Sequence, residues 1–469
     1  MNMMNLADNF QIWIPTLLSK VLTCEWDLRP IDKAVLPFVV YFFMGIGSGI
    51  TGKVADIFGR WLVFVVSFYF LIASVLSAAF APTYQTYLAA TSVIGYCVGA
   101  TQAVCFCYMA EMVPKDHRPF HTLILNFMSM AGGLLACLTA YFVMDLASGW
   151  RVLMVISGLP CLATLILLYG CDESPRYLAI SNRKDEAAAV LVKICKENNV
   201  TVPEGEMIAT EEQRGTYADI YSPPYTRTSL LISLLFFCNL YINIGIMYLI
   251  PDMMSMGYCT LSEWFDPTKV TKLTYLSNKT CEVYTSNEYL FLLGVRLLYI
   301  PAMFIGSWTA NDFGRKASFL YSGWGSLIAI VFLMFCLEAE MLYTLVAAVV
   351  ILYSLSTHVL FIYTPEYYPT YIRSTAMGVH LGIGRLGAAV AALVSEYLDT
   401  INIRFTIATY ILVIVVNAVA TCFLQTETRG QALVDNRVSP ESYGAAGLES
   451  GRKKDEKPLI DENSDIIEY

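Results

Sequence analysis

Charge is scarce in this chain. Of its 469 residues only 15% are Asp, Glu, Lys or Arg, and 56% are hydrophobic. An ordinary soluble protein carries roughly 25% charged residues, so most of this chain is built for a medium that rejects charge. Histidine is rare as well, at four residues, and no HExxH pair occurs. None of the thirteen cysteines stands at CxxC spacing, which leaves no zinc motif. Most of them (Cys97, Cys105, Cys107, Cys137, Cys238 and Cys336 among them) sit inside apolar runs, where cysteine acts as a small apolar packing residue. No cofactor or metal is called for. The net charge is −9, and no basic patch points to nucleic acid. The first 22 residues have no basic start and no small-residue cleavage site, so they do not read as a removable leader. They read instead as a membrane helix, short and polar, whose beginning is missing.

What is present is a series of apolar runs, each long enough to cross a hydrocarbon core of about 30 Å. Runs of about 20 residues exclude a barrel, whose strands alternate and are about half that length. The expected fold is an all-α membrane protein with about twelve transmembrane helices. They fall at roughly 3–22, 35–52, 61–80, 85–110, 119–144 and 150–171, then 229–250, 288–308, 317–337, 341–363, 374–396 and 402–424. Residues 1–171 form an N-terminal transmembrane half and 172–228 a charged linker with a helical piece near 184–198. Residues 229–424 form a C-terminal half with an outer loop at 251–287. Residues 425–469 are polar and read as a disordered tail.

Loop charge sets orientation. The loops after the even-numbered spans hold 14 Lys and Arg, and the opposite loops hold 8. The first set is therefore placed in the cytoplasm, with the C-terminal tail. That puts the sequon at Asn278 on the outer or lumenal side, where a glycan can be added. The sequon at Asn199 falls on the cytoplasmic side. Cys259 and Cys281 share the oxidising side, where they either pair or remain free thiols.

An internal repeat can be counted. Tyr108, Glu111, Pro114 and Arg118 recur at the same internal spacing as Tyr363, Glu366, Pro369 and Arg373, and Glu366 lies 255 residues after Glu111. The pair Gly59-Arg60 recurs 255 residues later as Gly314-Arg315, and Glu173 recurs 254 residues later as Glu427. Two six-helix halves explain this, a plan in which solute sits near the midplane between them. The recurring residues suggest a charge latch on the loop face: Gly52, Asp56, Gly59, Arg60, Glu111 and Arg118 in one half, Gly314, Arg315, Glu366 and Arg373 in the other. Asp56 sits near a helix end where Arg118 or another loop cation could pair with it. The plainer alternative is that the basic residues only anchor topology.

These motifs, with the run Glu173-Ser174-Pro175-Arg176-Tyr177-Leu178, resemble the major facilitator superfamily over nearly the whole chain. Cys24-Glu25-Trp26, the stretch Gly384 to Ala388 and Glu427-Thr428-Arg429-Gly430 resemble its branch holding sugar porters, organic ion transporters and synaptic vesicle glycoprotein 2 relatives. The larger outer loop between spans 7 and 8 is similar to that of the vesicle group. The resemblance implies a twelve-helix transporter in a vesicle or plasma membrane. Some positions depart from the pattern. Gln11 stands where a second span 1 acid is expected, and Tyr299 where an acid precedes the span 8 proline. Ser307 and Asn311 replace the Gly and Asp of the second-half loop, which implies a weakened latch there.

Ionisable residues inside spans are functional candidates, since a charge at mid-bilayer costs at least about 2.5 kcal/mol. Asp8, Arg296 and Arg385 meet that description; the alternative for each arginine is a structural tie to a carbonyl or to Asp8 or Glu396. His358 and His380 are either proton-coupling groups or satisfied core histidines. Asn239, Tyr241 and Asn243 in span 7 offer cavity contacts or interhelical hydrogen bonds. Gly47, Gly49 and Gly52 spell GxGxxG, but at the end of an apolar helix that string serves close packing. The reading is a secondary transporter of a small, anionic or zwitterionic organic solute, with the bilayer and that solute as partners. A second reading is a transporter-shaped vesicle protein that binds a ligand or partner without turnover. A sugar porter is a third reading, without a clear sugar signature in span 7. Asp455 to Ile460 in the tail resembles an acidic dileucine signal for a sorting adaptor.

The topology has a direct test. Asn278→Gln is expected to abolish a glycan mass shift in a secretory compartment, and Asn199→Gln to leave it unchanged. The reverse pattern inverts the orientation.

Overall fold

The computed structural model describes residues 1–113, 118–146, 148–201, 216–223, 225–255, 286–333, 339–368, 370–398, 403–424 and 427. The sequon at Asn278, Cys259, Cys281 and the tail signal lie outside the described residues. Cys24, near the C-terminal end of α1 (Asn2–Trp26), is disulfide-bonded.

Among the described residues all regular structure is helical. The N-terminal half is α1 (Asn2–Trp26), α2 (Pro30–Phe58), α3 (Arg60–Ala79), α4 (Tyr84–Met112), α5 (Arg118–Val143) and α6 (Gly149–Leu168). The linker holds α7 (Pro175–Ile180), α8 (Lys184–Glu197) and α9 (Tyr217–Ile220). The C-terminal half is α10 (Thr226–Ser255), α11 (Ser286–Leu297), α12 (Tyr299–Asp312), α13 (Arg315–Phe332), α14 (Ala339–Tyr367), α15 (Thr370–Leu398) and α16 (Ile403–Cys422). Ten helical stretches among the described residues are long and apolar enough to cross a membrane, α11 and α12 counting as one. With α1 and α13 they make up the twelve expected spans.

Two elements differ from expectation. The first span is a full 25-residue helix and is nearly continuously buried from Met4 to Ser19. Its Asn5, Asp8, Asn9 and Gln11 face protein rather than lipid, which explains how so polar a segment lies in a membrane domain. Gln11 donates to the Ser157 carbonyl at 3.0 Å and so ties α1 to α6. Span 8 is not one helix but two, α11 and α12, broken at Leu298. Pro301 lacks an N–H and its ring displaces the carbonyl one turn earlier, so the ladder cannot run through. The linker packs on the first half through Tyr177, whose hydroxyl donates to the Ile57 carbonyl at 2.9 Å; within the linker Lys193 pairs with Asp172 at 2.6 Å, and that carboxylate holds the Lys193 ammonium above its ordinary range.

The repeated residues build the same device twice, on one face of the molecule, here called the motif face. Gly59 and Gly314 have φ of 98° and 93°, a region that favours glycine. Each sits just before a helix start whose backbone N–H groups need acceptors. Glu173 accepts from the N–H of Arg60 at 3.0 Å and of Trp61 at 3.1 Å. Glu427 accepts from Arg315 at 2.8 Å and Lys316 at 3.0 Å. Each carboxylate thus caps a helix from more than 100 residues away and complements its dipole. Arg60 pairs with both Asp56 and Glu111 at 2.8 Å. Arg315 compensates for the missing Asp at 311 by a two-pronged pair with Glu366, Nε at 3.1 Å and Nη2 at 2.8 Å. The second cluster is therefore fully formed. Among the described residues the ion pairs of Arg60 and Arg315 lie inside one half, so these arginines stiffen each bundle. Arg373 donates to the Tyr368 carbonyl at 3.2 Å. Arg118 begins α5.

On the opposite face, called the far face, two ion pairs cross between halves. Lys33 of α2 pairs with Glu396 of α15, Ser19 of α1 donates to Glu396 at 2.6 Å, and Lys20 of α1 lies 3.8 Å from Glu288 of α11. In this arrangement the two halves are drawn together at that face.

The caps give a stability test. Glu173→Ala and Glu427→Ala are each expected to destabilise the detergent-purified protein by about 1 kcal/mol, the value of a lost helix cap. Asp56→Asn, whose side chain is a third exposed, is expected to cost less. Melting curves equal to wild type for both glutamate variants would remove the cap assignment.

Candidate functional site

A cavity of about 150 Å³ lies between the halves. Its wall is drawn from α1 (Asn5, Asn9, Ile12, Trp13), α4 (Gln102, Phe106), α5 (Asn126, Ser129), α10 (Leu240, Asn243, Ile244, Met247), α11 (Arg296), α14 (Phe361) and α15 (Arg385). Both halves contribute. Phe106 and Phe361 lie 255 residues apart, occupy equivalent places in the repeat, and stack on each other with ring centres 6.1 Å apart. They lie between the cavity and the motif-face glutamates of their helices.

The cavity is polar in an uneven way. It has five carboxamides and two guanidinium groups, and no carboxylate among its described lining residues. Arg296 is 7% exposed and Arg385 6%. Arg296 Nη2 donates to Asn9 Oδ1 at 3.1 Å, and its guanidinium stacks between the rings of Trp13 at 4.3 Å and Tyr299 at 4.7 Å. Such stacking steadies a cation away from water. Arg385 Nη2 donates to Gln102 Oε1 at 2.5 Å. The Nε of each arginine is buried without a hydrogen-bond partner, as is the Trp13 indole nitrogen. Asn9 also donates to Ser129, so one amide couples α1, α5 and α11. Both arginines belong to the C-terminal half and both amide partners to the N-terminal half.

The other candidates from sequence take varied places. Tyr299 borders the arginine stack, and its hydroxyl lies 3.4 Å from Asn243 Oδ1; Asn243 itself lines the cavity. Asp8 is fully buried beside it and accepts from Thr101 at 2.8 Å, without reaching the cavity wall. Asn239 donates to the Leu235 carbonyl at 2.9 Å and to Asn417 at 3.3 Å. Tyr241 donates to Thr409 at 3.2 Å. These two join α10 to α16 and do not line the cavity. The reason is helical spacing: Leu240, Asn243, Ile244 and Met247 share one face of α10, and positions 239 and 241 fall on others. His358 meets Ser307 at 2.9 Å, so the serine that replaces a motif glycine has a partner on α14. His380 is fully buried between the hydroxyls of Ser233 at 2.9 Å and Tyr368 at 2.8 Å, a satisfied core histidine. Glu396 is held at the far face, away from the arginines. Sequence reasoning missed Asn5, Asn9, Trp13, Gln102, Asn126 and Ser129. The available signal was the i, i+4 pair Asn5 and Asn9 in a membrane span.

Comparisons with known proteins agree with this architecture. The family model for "Sugar (and other) transporter" matches residues 32–262, and that for the "Major Facilitator Superfamily" matches residues 285–458. The chain is 29% identical over 442 residues to the synaptic vesicle 2-related protein of Xenopus laevis, covering 92% of this chain and 78% of that one. It is 28% identical over 433 residues to the rat protein of the same name, with the same coverage. Its backbone is similar to the inward-open xylose transporter of E. coli, with a TM-score of 0.69, 17% identity, and coverage of 92% of this chain and 96% of that chain.

The seat of Arg296 depends on Gly133. A Cβ there would fall 2.6 Å from Arg296 Nε and 2.8 Å from Trp13 Nε1. Gly133→Ala is therefore expected to lower stability by about 1–3 kcal/mol through overpacking. Combined with Arg296→Gln, the loss should be smaller than the sum of the two single losses. Additive losses in a double-mutant thermal cycle would show that the alanine acts elsewhere.

Proposed function

Because the chain belongs to the major facilitator superfamily of membrane transporters, we propose that it carries a small organic solute bearing at least one anionic group, free or within a zwitterion, by alternating access. The observation that carries this reading is the pair of buried arginines facing one cavity with no carboxylate on its described wall. Arginine stays charged at any physiological pH, so burial cannot be relieved by losing a proton. The neutral carbonyls of Asn9 and Gln102 offer each guanidinium only a partial charge. An anionic solute supplies the rest, and does so between the halves, where its binding energy can bias their arrangement.

The far-face ion pairs hold the cavity closed on that side, and the Phe106–Phe361 stack covers it on the other. Rocking of the halves breaks one closure while the motif-face clusters keep each bundle intact. Loop charge places the motif face in the cytoplasm and the far face outside or in a lumen. The names of the vesicle-protein relatives support a vesicle membrane as the location. The acidic dileucine-like segment ending at Leu459-Ile460 supplies a matching signal for a sorting adaptor.

The test uses purified protein in detergent for binding and in lipid vesicles for uptake, with small carboxylates, amino acids and organic cations as solutes. Carboxylates are expected to bind wild type, and to weaken by about tenfold or more, or 1.4 kcal/mol, in Arg296→Gln and Arg385→Gln. Cations binding best, or both variants folding normally and binding carboxylates as before, would overturn the charge reading. Saturable binding with no uptake would replace transport by the second reading, a ligand-binding membrane protein without turnover.

A further inference from the structure

The two arginines are separate seats. Arg296 is engaged by Asn9, Trp13 and Tyr299, and Arg385 by Gln102; they share no hydrogen-bond or ring partner. A guanidinium carries five N–H donors, and each of these two gives one hydrogen bond to an amide. On both, Nε is buried and makes no hydrogen bond, and Nη2 is the nitrogen given to the amide. A guanidinium with unspent donors can take a carboxylate through charge-assisted hydrogen bonds. Asp8, the nearest acid on α1, turns its carboxylate to Thr101 and bonds to neither arginine. Two guanidiniums with unspent donors, on two helices, therefore line one small cavity.

Resting on the reading of the cavity as an anion site, we propose that the preferred solute is a short-chain dicarboxylate, with one carboxylate on Arg296 and the other on Arg385. Charge and geometry both select it. A monoanion meets one guanidinium and leaves the other without an anion in the cavity. A phosphate monoester brings two charges on one centre, whereas these two cations sit on two helices with separate hydrogen-bond partners. Size sets the chain length: a cavity of about 150 Å³ is the volume that holds a benzene-sized solute, so the link between carboxylates is short. The carboxamides of Asn5, Asn126 and Asn243 on the wall suit hydroxyl or carbonyl groups along that link. Because each arginine lies in the C-terminal half and its amide partner in the N-terminal half, a bound dicarboxylate takes over bonds that now tie the halves together.

The experiment compares three probes on purified wild type by calorimetry at neutral pH. Succinate has two carboxylates, succinamate has the same shape with one carboxylate replaced by an amide, and methyl phosphate has its charge on one centre. Succinate is expected to bind about tenfold or more tighter than either of the others, a gap of about 1.4 kcal/mol or more. In Arg296→Gln and in Arg385→Gln, each verified as folded by its melting curve, succinate and succinamate are expected to converge to within about twofold. Succinamate or methyl phosphate matching succinate on wild type would overturn the two-seat proposal while leaving the anion reading standing. Binding of organic cations with no binding of any of the three anions would overturn the anion reading itself. The wild-type comparison decides the proposal even where a variant fails to fold.

Discussion

An ionised side chain held away from water must have a partner, and that constraint organises this molecule. In a membrane domain the penalty for neglecting it is at least a few kcal/mol per charge. Arg60 and Arg315 meet it with glutamates and backbone carbonyls of their own half. Lys33 and Glu396 meet it with each other across the halves. Arg296 and Arg385 meet it only in part, through one amide and, for Arg296, two aromatic faces. The order runs from charge paired with carboxylates at the motif face to charge met by amides and rings at the midplane. Such a gradient is what a solute site requires, because a fully paired cation would have nothing to offer a ligand.

The same constraint separates what is rigid from what can move. The described arginine pairs of the motif face lie within each bundle, and each cluster is locked further by a glutamate that caps the following helix. Neither need change when the bundles tilt. The halves pack along α2 against α15 and along α5 against α11, and the polar and aromatic contacts that cross with them include Glu396 with Lys33 and Ser19, Lys20 with Glu288, Asn9 with Arg296, Gln102 with Arg385, and the Phe106–Phe361 stack. They lie at different depths, so the halves can part at one face while staying joined at the other. Two of them are bonds to the arginines that face the cavity. Occupancy of the cavity and the position of the halves are therefore coupled through the same atoms.

Much of the frame could be read from the chain alone, for identifiable reasons. Gly59, Arg60, Glu111 and Glu173 recur at a fixed offset because the same cap and ion pair are built in each half. Arg296 and Arg385 stood out because charge in an apolar run demands an explanation. The partners of these residues were harder to read. A carboxamide such as Asn9 or Gln102 costs less in a helix than a charge, so it raises no comparable signal. Its function depends on which helix it faces, which is a tertiary fact. Asn239 and Tyr241 seemed equal to Asn243 by composition but lie on other faces of α10. The latch was legible as a set of residues, but its direction was not: the arginine pairs close within a half, and the pairing between halves is done by Lys33, Lys20, Glu288 and Glu396 at the far face. The apparent weakness of the second cluster disappeared once Arg315 was seen to grip Glu366 with two nitrogens.

The central claim is that two stiff halves are held together at the far face by the buried Glu396 pair, and part there. The most direct measurement is the distance distribution between spin labels at positions 29 and 397, which lie at the far-face ends of α2 and α15, with and without Glu396→Gln. The account predicts that Glu396→Gln enriches a longer distance between these labels. A control pair at positions 29 and 80, both in the N-terminal half, should keep its distribution. Unchanged distances between 29 and 397, or an equal shift in the control pair, would contradict it.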